Sequence, residues 1–77
     1  MNQKRRGQLE KLRDQLTAIK DEIDELKSEE ESAFGNTPES LQQSSKGEKM
    51  QEAIEKMDDT LDAIEASIYA LDEIVDA

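Results

Sequence analysis

Two apolar seams of helical period, separated by one punctuated stretch, dictate most of what this chain can fold into. The first is Leu9, Leu12, Leu16, Ile19, Ile23, Leu26; the second is Met50, Ile54, Met57, Leu61, Ile64, Ile68, Leu71, Val75. Each advances in alternating steps of three and four, which holds its members on one stripe of an α-helix at the a and d positions of a heptad. The expected fold class is therefore all-α: an antiparallel two-helix coiled-coil hairpin, dimerising into a four-helix bundle. Its 77 residues make one domain, with helices over 2–33 and 46–75 and a connection over 34–45.

Local signals set those limits. Gly7 lies inside the first helix and predicts fraying of the opening turns, since glycine costs about 1 kcal/mol against alanine in a helix. Gly35 follows Phe34 and reads as the C-terminal stop. Thr37-Pro38-Glu39-Ser40 reads as a short helical start, with Thr37 as the cap and Pro38 at the first helical position. Ser45 through Glu48 has the spacing of a capping box, Ser45 capping and Glu48 reaching back. The connection is longer than a plain helix-to-helix turn requires. Phe34 and Leu41 near its edges are expected to close the end of the bundle.

The charges flanking the seams test the hairpin. The e positions are Arg13, Lys20 and Lys27 on the first helix and Asp58, Glu65 and Asp72 on the second. Antiparallel helices set e against e. Arg13–Asp72, Lys20–Glu65 and Lys27–Asp58 share the residue sum 85, as one fixed register demands. The seam agrees, with Leu16–Leu71, Ile19–Ile68, Ile23–Ile64 and Leu26–Leu61 all summing to 87. Exposed pairs contribute little each, so their value lies in selecting the register. At the open end, Lys4, Arg5 and Arg6 oppose the first helix dipole, while Asp72, Glu73 and Asp76 oppose the second. The hairpin brings the two clusters together, where each offsets the other.

Composition removes most chemistry. There is no Cys and no His, hence no thiol, no imidazole base and few transition-metal ligands. The acidic runs follow no EF-hand spacing, and no Gly-rich phosphate loop or nucleophile–base pair is present. A non-enzyme without cofactor or metal is expected. The formal net charge is −10, made of six basic and two acidic side chains in residues 1–20 and four basic and eighteen acidic beyond. Such a surface disfavours nucleic acid and favours a basic protein. No run approaches a membrane span, and no apolar signal core follows the basic start, so a cytoplasmic location in a bacterial host is expected.

The second helix carries a further row, Thr60, Ala63, Ser67, Ala70, Ile74, on its g and c positions. Small residues let another helix approach closely, so this row is the expected homodimer interface. A single seam is little core for so small a domain, which points the same way. Off the main seam, Glu29, Glu30, Glu31, Glu55, Asp59 and Asp62 are the candidate contacts for a basic partner.

The connection is more specific than its physics requires. Phe34, Asn36, Pro38, Glu39, Leu41, Gln42, Ser44, Gly47 and Glu48 match the form F-x-N-x-P-E-x-L-Q-x-S-x-x-G-E. The segment resembles that of a family of small, uncharacterised phage and prophage helical-hairpin proteins. Gly35 and Lys46 depart from it, standing where an acidic residue and Arg are expected. The opening Asn2 through Arg6 is also similar. The resemblance implies a mobile-element origin in bacteria and supplies no activity. The expected function is a non-catalytic acidic interaction module that docks on a basic surface of a host protein and inhibits it. The alternative is a self-associating structural or assembly protein.

Overall fold

The computed structural model describes residues 1–77 as an all-helical rod of 58 × 14 × 13 Å. Helix α1 spans Gln3–Gly35, a single turn α2 spans Glu39–Gln42, and α3 spans Ser45–Val75. Helices α1 and α3 pack side by side as a hairpin, and α2 folds against α3 at the closed end.

The helix ends are set by side chains that sequence signals identify only partly. At the start of α1, Asn2 Oδ1 accepts a hydrogen bond from the Arg5 amide at 2.8 Å. That cap satisfies an otherwise orphaned donor, and the helix runs unbroken through Gly7. At the other end α1 continues two residues beyond 33. Gly35 is its last residue and has no positive φ, so it is not a left-handed stop. The terminal carbonyls are satisfied instead by polar groups. The Asn36 amide donates to Ser32 O, and the Thr37 hydroxyl to Ala33 O at 2.8 Å. Gln42 Nε2 donates to both Phe34 O and Thr37 O, each at 2.9 Å.

Three expectations about the connection are thereby corrected. Thr37 does not cap α2; its hydroxyl turns back to α1, and Pro38 holds the cap position with no side-chain bond. Ser44, not Ser45, caps α3, with its Oγ 3.5 Å from the Gly47 amide. The Ser45 amide makes no hydrogen bond to the Glu48 carboxylate, so no reciprocal capping box forms. Leu41 does not close the bundle end: it is 47% exposed. Its neighbour Gln42, about 100° further round α2, turns inward and does the closing with its amide. The backbone of α2 then lies so near α3 that a Cβ on Gly47 would sit 2.0 Å from Gln42 O and 2.4 Å from its carbonyl carbon.

The register between α1 and α3 is the one the charges select. Arg13 Nη1 lies 2.8 Å from Asp72 Oδ1, Lys27 Nζ 2.7 Å from Asp58 Oδ1, and Lys20 Nζ 3.8 Å from Glu65 Oε1. The rotation of α1 about its axis differs from an a/d seam. Its partly covered residues are Arg6, Leu9, Arg13, Leu16, Lys20, Ile23, Lys27, Glu30 and Phe34, again at three-four spacing. These are the a and e positions. The aliphatic stems of Arg13, Lys20 and Lys27 lie over the seam while their charged ends reach the carboxylates of α3. Drawing the e row inward turns the d row out, and Leu12, Ile19 and Leu26 remain 51%, 46% and 56% exposed. On α3 the whole a/d seam is at least partly covered, and Leu61 is its one buried side chain.

Candidate protein-interaction surfaces

The rod presents three longitudinal surfaces of different chemistry. The first is the ion-paired edge, where the e rows of α1 and α3 meet. Its donors are ordered by hydrogen bonds as well as charge. The bond to Asp72 holds the Arg13 guanidinium above its ordinary pKa, partial desolvation opposing. The bond to Asp58 does the same for Lys27, against desolvation and with help from the charges of Asp58, Glu31 and Asp24. Both cations therefore stay charged throughout the physiological range, and the edge is already satisfied within the chain.

The second surface is an acidic ridge on the b and f positions of α3. Glu48, Glu52, Glu55, Asp59 and Asp62 advance in steps of four and three, and every one is exposed. None lies within 4.0 Å of a cation; the paired carboxylates of α3 are Asp58, Glu65 and Asp72. Further along the same row stands Tyr69, also exposed, whose hydroxyl donates to Glu65 Oε1 at 3.3 Å. On α1 three carboxylates meet a cation, while Asp21, Glu22, Asp24, Glu25, Glu29 and Glu30 pair with none. Glu10 and Asp14 flank Arg13, and Glu31 lies 3.8 Å from Lys27.

The six candidate acidic contacts do not form one patch. Glu55, Asp59 and Asp62 lie together on the ridge. Glu31 joins Glu55 across a shallow groove floored by Phe34 and Ile54. Glu30 is half-buried and faces the other side, near Lys46, Lys49 and Met50. Glu29 lies on the g row of α1, on that same far side. Glu48 and Glu52 complete the ridge, and their four-three spacing with Glu55 was the sequence signal for them. No group of three or more carboxylates converges as a metal cage would require.

The third surface lies opposite the ion-paired edge. On a helical wheel, d and g fall on the other side of a from e. Leu12, Ile19 and Leu26 of α1 therefore share a face with Thr60, Ser67 and Ile74 of α3. Ala63 and Ala70 lie one position further round. A shallow groove along the start of this face is lined by Arg5, Gln8, Lys11, Leu12 and Gln15. Along α3 its c and g positions hold Lys46, Lys49, Ala53, Lys56 and then the small row, with no carboxylate among them. In a chain with 20 acidic residues, the α3 half of this face is segregated from them.

At the open end, Lys4, Arg5 and Arg6 form no ion pair with Asp72, Glu73 or Asp76. Asp72 is taken by Arg13, so direct pairing of the two terminal clusters is absent. No helix is long and apolar enough to cross a membrane. No family model, curated protein or solved structure matches the chain.

Proposed function

We propose that this protein is a non-catalytic interaction module whose α3 ridge docks on a basic protein surface, and that it works as a dimeric four-helix bundle. The observation that supports the first part is the row of exposed carboxylates Glu48, Glu52, Glu55, Asp59 and Asp62 without an internal cation. Carboxylates held at fixed spacing on a rigid helix present their charge without paying to order it, which favours rapid, salt-dependent encounter with a complementary patch. Tyr69 adds an aromatic side chain on the same row, a residue type enriched where binding energy concentrates. The resemblance of the connection to phage and prophage proteins supports a partner inside a bacterial cell; inhibition of that host protein is the role proposed for docking of the acidic ridge.

Affinity capture from bacterial lysate tests the ridge. One stoichiometric partner with a basic surface, released by salt, is expected. The combined variant Glu55→Lys, Asp59→Lys, Asp62→Lys should keep its helical circular dichroism and lose that partner. Retention of the partner by the folded variant would remove the ridge from consideration.

The second reading, a self-associating structural protein, is favoured by a different observation: the half-exposed Leu12, Ile19 and Leu26 beside the small-residue row. Self-association and the ridge occupy different faces, so one molecule can do both.

A further inference from the structure

We propose that two copies of this chain join head to tail about a two-fold axis that crosses the rod between Ile19 and Ser67. The proposal rests on the dimeric reading above and specifies its geometry.

The apolar content of the open face has a centre. On α1 the exposed row is Leu12, Ile19, Leu26, symmetric about Ile19. On α3 the g-row residues Thr60 and Ile74 lie seven positions either side of Ser67, with Ala63 four before it and Ala70 three after it. The three ion pairs fix the level of one helix against the other, since each pair sums to 85. Ile19 and Ser67 sum to 86, one residue from that level, so they stand within about 1.5 Å of the same height on the rod. The two rows come from different helices and owe nothing to one another, yet one axis serves both.

A two-fold axis in the plane of the face and perpendicular to the rod sets α1 antiparallel on the partner's α1, and α3 antiparallel on the partner's α3. Ile19 then meets the partner's Ile19, and Leu12 meets the partner's Leu26. Ser67 meets its own copy, and Thr60 meets the partner's Ile74. Ala63 and Ala70 let the α3 pair approach closely. Every neighbouring pair of helices runs antiparallel, the arrangement of an up-down four-helix bundle. The interface is self-complementary, as a closed dimer needs.

Charge chooses the occupant and the direction. The flank of α1 on this face is basic in its first half, with Lys4, Arg5 and Lys11, and acidic in its second, with Glu22, Glu25 and Glu29. None of these six is ion-paired within the chain. Head-to-tail packing sets the basic half of each α1 on the acidic half of the other, with Lys11 beside the partner's Glu25. Side-by-side α1 helices pointing the same way would place acid on acid. The complement to this face is therefore the face itself.

Sedimentation and cysteine cross-linking test the proposal together, because the chain has no cysteine of its own. Wild-type protein at about 50 µM, above a dissociation constant of about 1 µM, should sediment as two chains of 8.7 kDa each. Ile19→Glu sets like charges together on the axis and should raise the dimer dissociation constant at least about tenfold, as at a central interface position. Ser67→Cys should cross-link under mild oxidation far faster than Asp62→Cys on the ridge, since a disulfide needs its two Cα atoms within about 7 Å. Lys11→Glu should weaken the dimer, and adding Glu25→Lys should restore it. A wild-type monomer would overturn both the dimer and this geometry. A dimer in which Ser67→Cys cross-links no faster than Asp62→Cys would overturn the geometry alone. Should Ile19→Glu fail to fold, the cross-linking comparison still decides.

Discussion

The most demanding prediction concerns Gly47. Replacing it by alanine adds one methyl group in a helix, a change that is normally favourable by about 1 kcal/mol. Here the methyl would fall 2.0 Å from Gln42 O, 2.4 Å from Gln42 C and 2.6 Å from Gln42 Cα. These are backbone atoms, so no rotamer change relieves the clash and the turn of α2 must move away from α3. Overpacking of that kind costs about 2–3 kcal/mol. Moving α2 also withdraws the Gln42 amide from Phe34 O and Thr37 O, each at 2.9 Å. Two part-buried hydrogen bonds add about 1–2 kcal/mol. Set against the helix gain, Gly47→Ala should destabilise by about 2–4 kcal/mol.

Thermal unfolding followed by far-ultraviolet circular dichroism reads this as a fall in Tm of about 8–32 °C, given about 4–8 °C per kcal/mol for a domain of this size. Gly7→Ala is the internal control. A Cβ there meets nothing within 4 Å, so the same chemical change should raise Tm slightly, through about 0.5–1 kcal/mol of helix stabilisation. If Gly47→Ala melts at or above the wild-type temperature, α2 does not lie against α3 and the account of the closed end is wrong.

Two further predictions address the ion-paired edge. Lys20→Glu faces Glu65 with a like charge and should destabilise, and adding Glu65→Lys should restore most of the loss. The pair is half-exposed at 3.8 Å, so the double-mutant coupling should be about 0.2–1 kcal/mol and shrink in high salt; zero coupling at low ionic strength would mean the side chains do not meet. Lys27 gives a pH dependence whose sign is fixed. Its pKa is raised above 10.5 on folding by the bond to Asp58, so the folded chain holds the proton more tightly. That stabilisation is full below the ordinary lysine value and is lost as pH climbs through the raised one. Urea midpoints of the wild type and Lys27→Met should differ at about pH 9, below the ordinary lysine range, and draw together as pH rises beyond it. An unchanged difference across that range would rule the contribution out.

The register was legible in the sequence because two independent features encode it. The apolar seam and the e-row charges each fix a sum, and a one-residue slip would spoil both. The rotation of α1 was not legible. An a/d pattern marks a stripe, and a single partner helix covers only part of it. Which part depends on whether the stems of Arg13, Lys20 and Lys27 lie over the seam, and heptad spacing is silent on that. The closed end misled for a related reason. Hydropathy favours Leu41 over Gln42 as the inward residue, but the end of α1 presents bare carbonyls, and an amide satisfies them where a leucine cannot. Gly47 has the spacing of a capping motif, which hid its real role, the close approach of α2. The acidic ridge was half legible. Glu55, Asp59 and Asp62 belong to it, whereas the run Glu29-Glu30-Glu31 fans out over three directions, because consecutive helical residues are about 100° apart.

The two surfaces left free by the hairpin should answer salt in opposite directions, and this separates their roles. Docking of the ridge on a basic surface is an attraction between unlike charges, which added salt screens. Association through the open face joins two chains that each carry a net charge of −10, so their overall repulsion opposes the dimer most at low salt. Screening relieves that repulsion, and the centre of the interface is apolar, from Leu12 through Ile19 to Leu26. A strongly excluded salt such as sulfate strengthens apolar burial further. The flanking contacts of Lys11 with the partner's Glu25 run the other way, but they are exposed and individually weak. Rising salt should therefore tighten the dimer while it releases the partner. A dimer that dissociates in step with the partner would mean that the same charges hold both, and that the acidic ridge rather than the open face carries self-association.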